Sequence, residues 1–219
     1  MKTHFRYWAV AGFLSLAACA QTPNGSLPAP PSNGSAAAAR GAAPPGSSIV
    51  SNGSFEKPTV PSGSYTTFST GQSFDGWKVV GANGNMAVVS DTFTYGGYTF
   101  PAGCGHQLVD LTGSSDSATG VQQKVKVVAG TTYQISFLVG NAWAASGNVG
   151  QTSTALLYLN GKKILKATNK KGKGLTHMVW QKFSATFVAK KNSATIKLIN
   201  GDPASDTVNG LDCVAVTPA

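Results

Sequence analysis

From residue 49 to the C-terminus no stretch of the chain holds apolar residues at a helical period over three turns. Gly, Asn-Gly or Ser-Gly breaks recur roughly every eight to twelve residues. A chain punctuated this way has no room for long helices, so an all-β fold is predicted. Strands are expected over Met86–Ser90, Gln107–Leu111, Gly120–Val128, Thr132–Val139, Ala155–Asn160, Lys162–Ala167, Met178–Val188, Ala194–Ile199 and Leu211–Val216. Gln123–Val127 and Thr195–Ile199 alternate apolar and polar residues, as half-buried strands do. Asn160-Gly161 between two such runs is the favoured pair of a type I′ hairpin. Short antiparallel strands in this number predict a jelly-roll β-sandwich.

The first 48 residues are of a different kind. Lys2 and Arg6 precede a mostly apolar run, Tyr7–Ala18, too short to span a bilayer as a helix. Residues 1–18 therefore read as a secretory signal. The run ends Leu16-Ala17-Ala18-Cys19, which resembles the bacterial lipobox, whose cysteine is lipidated and becomes the new N-terminus. The position after Cys19 is Ala20 rather than Asp, so the resemblance points to the outer membrane, facing the periplasm or the cell surface. Several acyl chains on one cysteine would suffice for stable anchoring, at about 0.8 kcal/mol per buried methylene. From Ala20 to Ser48 the chain is mostly Ala, Pro, Ser, Gly and Asn, with Arg40 as its one charge and six of the eleven prolines. Such a segment cannot bury a core and is expected to act as a tether. Residues 49–219 form the domain. The Asn-Gly-Ser sequences at Asn24, Asn33 and Asn52 are taken as turn chemistry.

Charge narrows the function classes. The whole chain has 17 basic against 8 acidic residues, and Glu56 is the sole glutamate. Chemistry that needs a carboxylate pair has few candidates, and none of them stands in a recognisable catalytic motif. Six lysines fall between positions 162 and 173: Lys162, Lys163, Lys166, Lys170, Lys171 and Lys173. They fit a lysine-protected edge strand, or a surface that attracts anionic glycans, lipopolysaccharide or peptidoglycan. An exported chain with no nucleic-acid module has no expected nucleic-acid partner.

A series of short motifs then carries a resemblance. Asn52-Gly53-Ser54-Phe55-Glu56, Gly76-Trp77, Val109-Asp110-Leu111-Thr112-Gly113, Val121-Gln122-Gln123, Tyr133–Phe137, Gly140-Asn141, Trp180, Phe183-Ser184-Ala185 and Gly210–Val214 follow one another in the order of galactose-binding-like sandwich domains. The chain resembles the choice-of-anchor C domains of bacterial surface proteins, with related domains in plant cell-wall proteins and more distant carbohydrate-binding modules. That resemblance implies a structural calcium held by Glu56 and Asp212, with backbone carbonyls and Ser54 or Asp75 completing the six to eight oxygens calcium needs. The alternative is that Glu56 accepts backbone N–H bonds or pairs a lysine. The resemblance also assigns Trp77 and Trp180 to the core.

Other candidates come from the residues themselves. With Cys19 lipidated, Cys104 and Cys213 remain, and in an oxidising setting they are expected to form a disulfide, the alternative being two buried thiols. Cys104-Gly105-His106 is poor support for a thiol nucleophile, and zinc on Cys104, Cys213, His106 and His177 lacks the paired spacing of zinc sites. Trp143, beside Asn141 in a small-residue segment, is expected to protrude and stack on a sugar ring, with Asn141 as a polar contact. Tyr95 and Tyr98, flanked by Phe93 and Phe100, form a second aromatic group that either offers a platform or packs against an edge strand. Together these predict a non-catalytic, membrane-tethered protein with a glycan-binding domain. The alternative is a structural or adhesive surface protein that binds protein or matrix.

Overall fold

The computed structural model describes residues 46–144, 149–204 and 207–219. Among them are fourteen strands: β1 (Tyr65–Ser69), β2 (Ser73–Phe74), β3 (Trp77–Gly81), β4 (Asn85–Ser90), β5 (Thr94–Tyr95), β6 (Tyr98–Thr99), β7 (Gln107–Asp110), β8 (Thr119–Lys126), β9 (Thr132–Asn141), β10 (Ser153–Leu159), β11 (Lys162–Asn169), β12 (Val179–Val188), β13 (Ser193–Asn200) and β14 (Gly210–Pro218). The first sheet runs β1-β4-β7-β14-β9-β12 and the second β11-β10-β13-β8-β3-β2, every pair antiparallel. This is an all-β sandwich of the jelly-roll kind. The nine strands expected from sequence are all present, each end within two residues of its expected place.

Alternation builds the core. Met86, Val88, Ile135, Phe137, Val139, Leu211 and Val216 of the first sheet meet Val79, Val121, Ala155, Leu157, Ile196 and Leu198 of the second, all buried in one cluster. Trp77 lies in it at 1% exposure, its ring 5.4 Å from that of Phe55 and its Nε1 donating to the Asn52 carbonyl oxygen at 2.9 Å. Asn160 and Gly161 both have positive φ, 50° and 87°, as a type I′ turn requires. Asn52, at φ 50°, ties its own loop by exchanging two hydrogen bonds with the Lys57 backbone, the turn role expected of it.

A second apolar layer covers part of the outer face of the first sheet. Ala87, Val89 and Leu108 point away from the main core and pack with Phe100, Ala142, Ala144, Val149 and Met178. The hairpin β5–β6 and the segments flanking β9 and β12 thus form a cap over that end of the sheet. Trp180 belongs here, half-buried against the cap, with Nε1 donating to the Pro101 carbonyl oxygen at 2.8 Å. Its expected place in the main core is corrected: on β12 it pairs with Gly140, and alternation turns that position outward, away from Phe183 and the core.

Candidate functional site

Next to the cap, the loop 103–107 is held by two acids. Asp212 Oδ2 accepts the Gly103 and Cys104 N–H groups, each at 2.8 Å, and its Oδ1 accepts the Cys213 N–H at 2.6 Å. Glu56 Oε1 accepts the His106 and Gln107 N–H groups at 2.9 and 3.0 Å. Asp212 reaches the loop because β14 slips register against β9 between Asp212 and Ala215, with Cys213 at φ 52°. A bulge of this type re-aims side chains. Gly105, at φ 71°, lies so close to the Glu56 carboxylate that a Cβ would collide with it.

The donor set does not fit the calcium that the sequence resemblance implied. Calcium requires oxygens directed inward. Here five amide hydrogens, the positive ends of their dipoles, are turned onto the two carboxylates. Asp75 sits in the exposed two-residue turn between β2 and β3. Burial raises the Asp212 carboxyl to about 7, against the N–H bonds from Cys104, Cys213 and Gly103, which lower it, and with the Glu56 charge adding to the rise. Asp110, buried and bonded to the Thr112 hydroxyl and N–H and to the Asn209 N–H, is raised by burial to about 6.

Cys104 and Cys213 form a disulfide with Cα atoms 5.6 Å apart. This takes both sulfurs out of thiol or zinc chemistry. The bridge borders an open groove of about 530 Å³ on the outer face of the first sheet. Leu138, the disulfide and Ala215 supply an apolar floor, while Ser54, Ser136 and Lys182 supply hydroxyls and an ammonium. Alternation puts Ser136 and Leu138 on this face, because Ile135, Phe137 and Val139 take the core side of β9. Sequence reading missed the groove. The alternation in β9 was visible, but nothing in it said which outward residues the cap would leave uncovered.

The sequence-predicted binding residues are dispersed by comparison. Tyr95 and Tyr98 face each other across the β5–β6 hairpin and are half-buried against the cap. Phe93 stacks on Phe100 at 5.9 Å and meets Tyr65 edge-on at 5.4 Å, the packing alternative foreseen for this group. Trp143 is half-buried, lies between Ala142 and Ala144 of the cap, and carries the Lys173 ammonium 5.8 Å from its ring centre. Asn141 is corrected outright. It is 0% exposed, its Nδ2 donating to Ser153 Oγ and its Oδ1 accepting the Gly172 N–H, so it pins the loop after β11 from inside the fold. The lysine run divides: Lys162, Lys163 and Lys166 lie on β11, an edge strand, and the other three follow it in the loop. Cys19 and the signal and tether expected before Gly46 lie outside the described residues.

Residues 48–217 match the family described as "Protein of unknown function (DUF642)". The chain belongs to the DUF642 family. No curated protein matches the sequence. Among solved structures, this DUF642 chain is similar to a cyclase from Fischerella sp. TAU, at 19% identity over 78% of this chain and 97% of that one, with a TM-score of 0.55. That likeness is one of fold. Further similarities are to TmCBM61, solved with beta-1,4-galactotriose (14% identity, 79% and 99% coverage, TM-score 0.43). A third is to the CBM22-1 xylan-binding domain of Paenibacillus barcinonensis Xyn10C (16%, 73% and 97%, TM-score 0.42).

Proposed function

We propose that the protein is a non-catalytic glycan-binding lipoprotein, attached to the outer membrane through Cys19 and presenting the sandwich on a tether. The groove beside the Cys104–Cys213 disulfide carries the binding part of this reading. An apolar floor edged by a few hydroxyls and one ammonium suits the mixed apolar and polar faces of a sugar ring. The two carboxylates that hold the adjoining loop, Glu56 and Asp212, are committed to its backbone N–H groups and do not line the groove. This supports a binding role over acid–base work on a substrate.

The test is a glycan array probed with the full chain, repeated with Ser136→Trp, which fills the groove from an outward-facing strand position. Loss of the retained glycans at unchanged melting temperature is expected. Retention of every glycan by a folded Ser136→Trp variant would remove the groove from consideration. For the anchor, Cys19→Ser should yield an unprocessed or released form, and ordinary membrane fractionation of that variant would contradict the proposal.

A further inference from the structure

The outer face of the second sheet bears a regular basic row that no stretch of sequence displays. Tyr158 of β10 is directly opposite Lys163 of β11 on one side and Lys197 of β13 on the other. Lys197 is in turn opposite Gln122 of β8, and Gln122 opposite Lys78 of β3. One line across five strands therefore reads Lys163, Tyr158, Lys197, Gln122, Lys78. Their chain neighbours Leu157, Leu198, Val121 and Val79 fill the core, so this line faces outward. With strands about 4.8 Å apart, its three lysines recur every ~10 Å. The Lys197 ammonium lies 4.5 Å from the centre of the Tyr158 ring, which holds it at the middle of the row. Lys124 and Lys126 of β8 share the face, and Lys166 lies opposite Leu156 in the adjacent row. Among the described residues no carboxylate pairs with any of these lysines; the ion pair present is His106–Asp91. Nor, among the described residues, does an apolar cap cover this side as one does the first sheet.

Ammonium groups spaced evenly and left without counter-charges complement a repeating polyanion. The residues between them, a phenol and an amide, suit hydroxyls and ring faces rather than further charge. We propose that this face docks a linear acidic polysaccharide whose carboxylates alternate with neutral sugars. The surface is on the opposite sheet from the groove, and the proposal does not rest on the groove's function.

Hyaluronan, with a carboxylate on alternate sugars, is the probe, and binding by the full chain is measured against salt concentration. Wild type should bind it, with affinity falling as salt rises. Lys78→Gln/Lys163→Gln/Lys197→Gln should weaken binding about tenfold, the sum of three modest exposed contacts, and flatten the salt dependence. The control Lys170→Gln/Lys171→Gln/Lys173→Gln removes equal charge outside the row and should bind as wild type does. Equal losses in the two variants would reduce the effect to net charge and overturn the proposal. So would absence of hyaluronan binding by wild type, or tighter binding of single-stranded DNA or phosphatidylglycerol vesicles at the same salt. Glycans retained through the groove should be unaffected by the row variant, which keeps the two surfaces separately testable.

Discussion

Glu56 and Asp212 grip the same loop from its two ends, Asp212 through the N–H groups of Gly103 and Cys104 and Glu56 through those of His106 and Gln107. One acid comes from the first loop of the domain and the other from its last strand. The loop therefore fastens the beginning of the fold to its end. The Cys104–Cys213 bridge makes the link from this loop to the last strand covalent, one residue along from Asp212.

Because amide hydrogens occupy these carboxylates, stability should not depend on calcium. The melting temperature of the full chain should be the same in calcium and in excess chelator. A rise with calcium, the mass-action signature of a folded-state ligand, would show that the loop can reorganise around a cation.

Acid should stabilise the domain. Burial raises Asp212 to about 7 and Asp110 to about 6, whereas both titrate near 3.9 when unfolded. Between those values the folded chain holds protons that the unfolded chain has released, so stability falls as pH rises from about 4 to about 7. The melting temperature is expected to be a few degrees higher at pH 5 than at pH 8. Asp212→Asn should flatten that profile. A melting temperature that climbs with pH over this range would contradict the assignment.

The disulfide closes a separation of 109 residues. On the chain-entropy account a loop of that length contributes on the order of 4 to 5 kcal/mol. Cys104→Ser/Cys213→Ser should lose a comparable amount in denaturant unfolding, and the wild-type chain should offer no thiol at either position to an alkylating agent before reduction. Labelling of either cysteine without reductant would argue against the bridge.

The long strands and their turns were legible because each carries its own signal. Asn160-Gly161 names its turn, and the alternation of β8 and β13 names their buried faces. β1, β2, β3 and the β5–β6 hairpin were not legible. They run two to five residues, several rich in Thr or Gly, and owe their pairing to neighbours already in place. For the site, Glu56 and Asp212 stood out as rare acids, and the bridge followed from two cysteines in a chain expected to be exported. For Glu56 the alternative of accepting backbone N–H bonds is the one observed. What escaped was the partnership of Asp212, whose donors are amides of the same glycine-rich loop and of Cys213, which side-chain identity does not advertise. Lys78, Lys163 and Lys197 likewise become a row only through strand register.

Trp143 separates a binding contribution from a packing one. Its neighbours Ala142 and Ala144 are buried in the cap, while its own ring is half-exposed under the Lys173 ammonium. If bound glycan extends from the groove over the cap, this ring is a stacking partner. Trp143→Ala should then weaken glycan binding by about 1 to 3 kcal/mol, the scale of a lost aromatic hot spot, with little change in melting temperature. Trp77→Ala is the contrasting variant, since that ring is 1% exposed in the main core. Emptying its site should cost about 3 to 5 kcal/mol of stability. Trp180→Ala should fall between, because its ring is half-buried in the cap and its Nε1 bonds Pro101. Isothermal titration against an array-positive glycan, run beside thermal unfolding, resolves the three. Unfolding caused by Trp143→Ala would place that ring with the packing residues, and unchanged affinity for every retained glycan would confine sugar contacts to the groove.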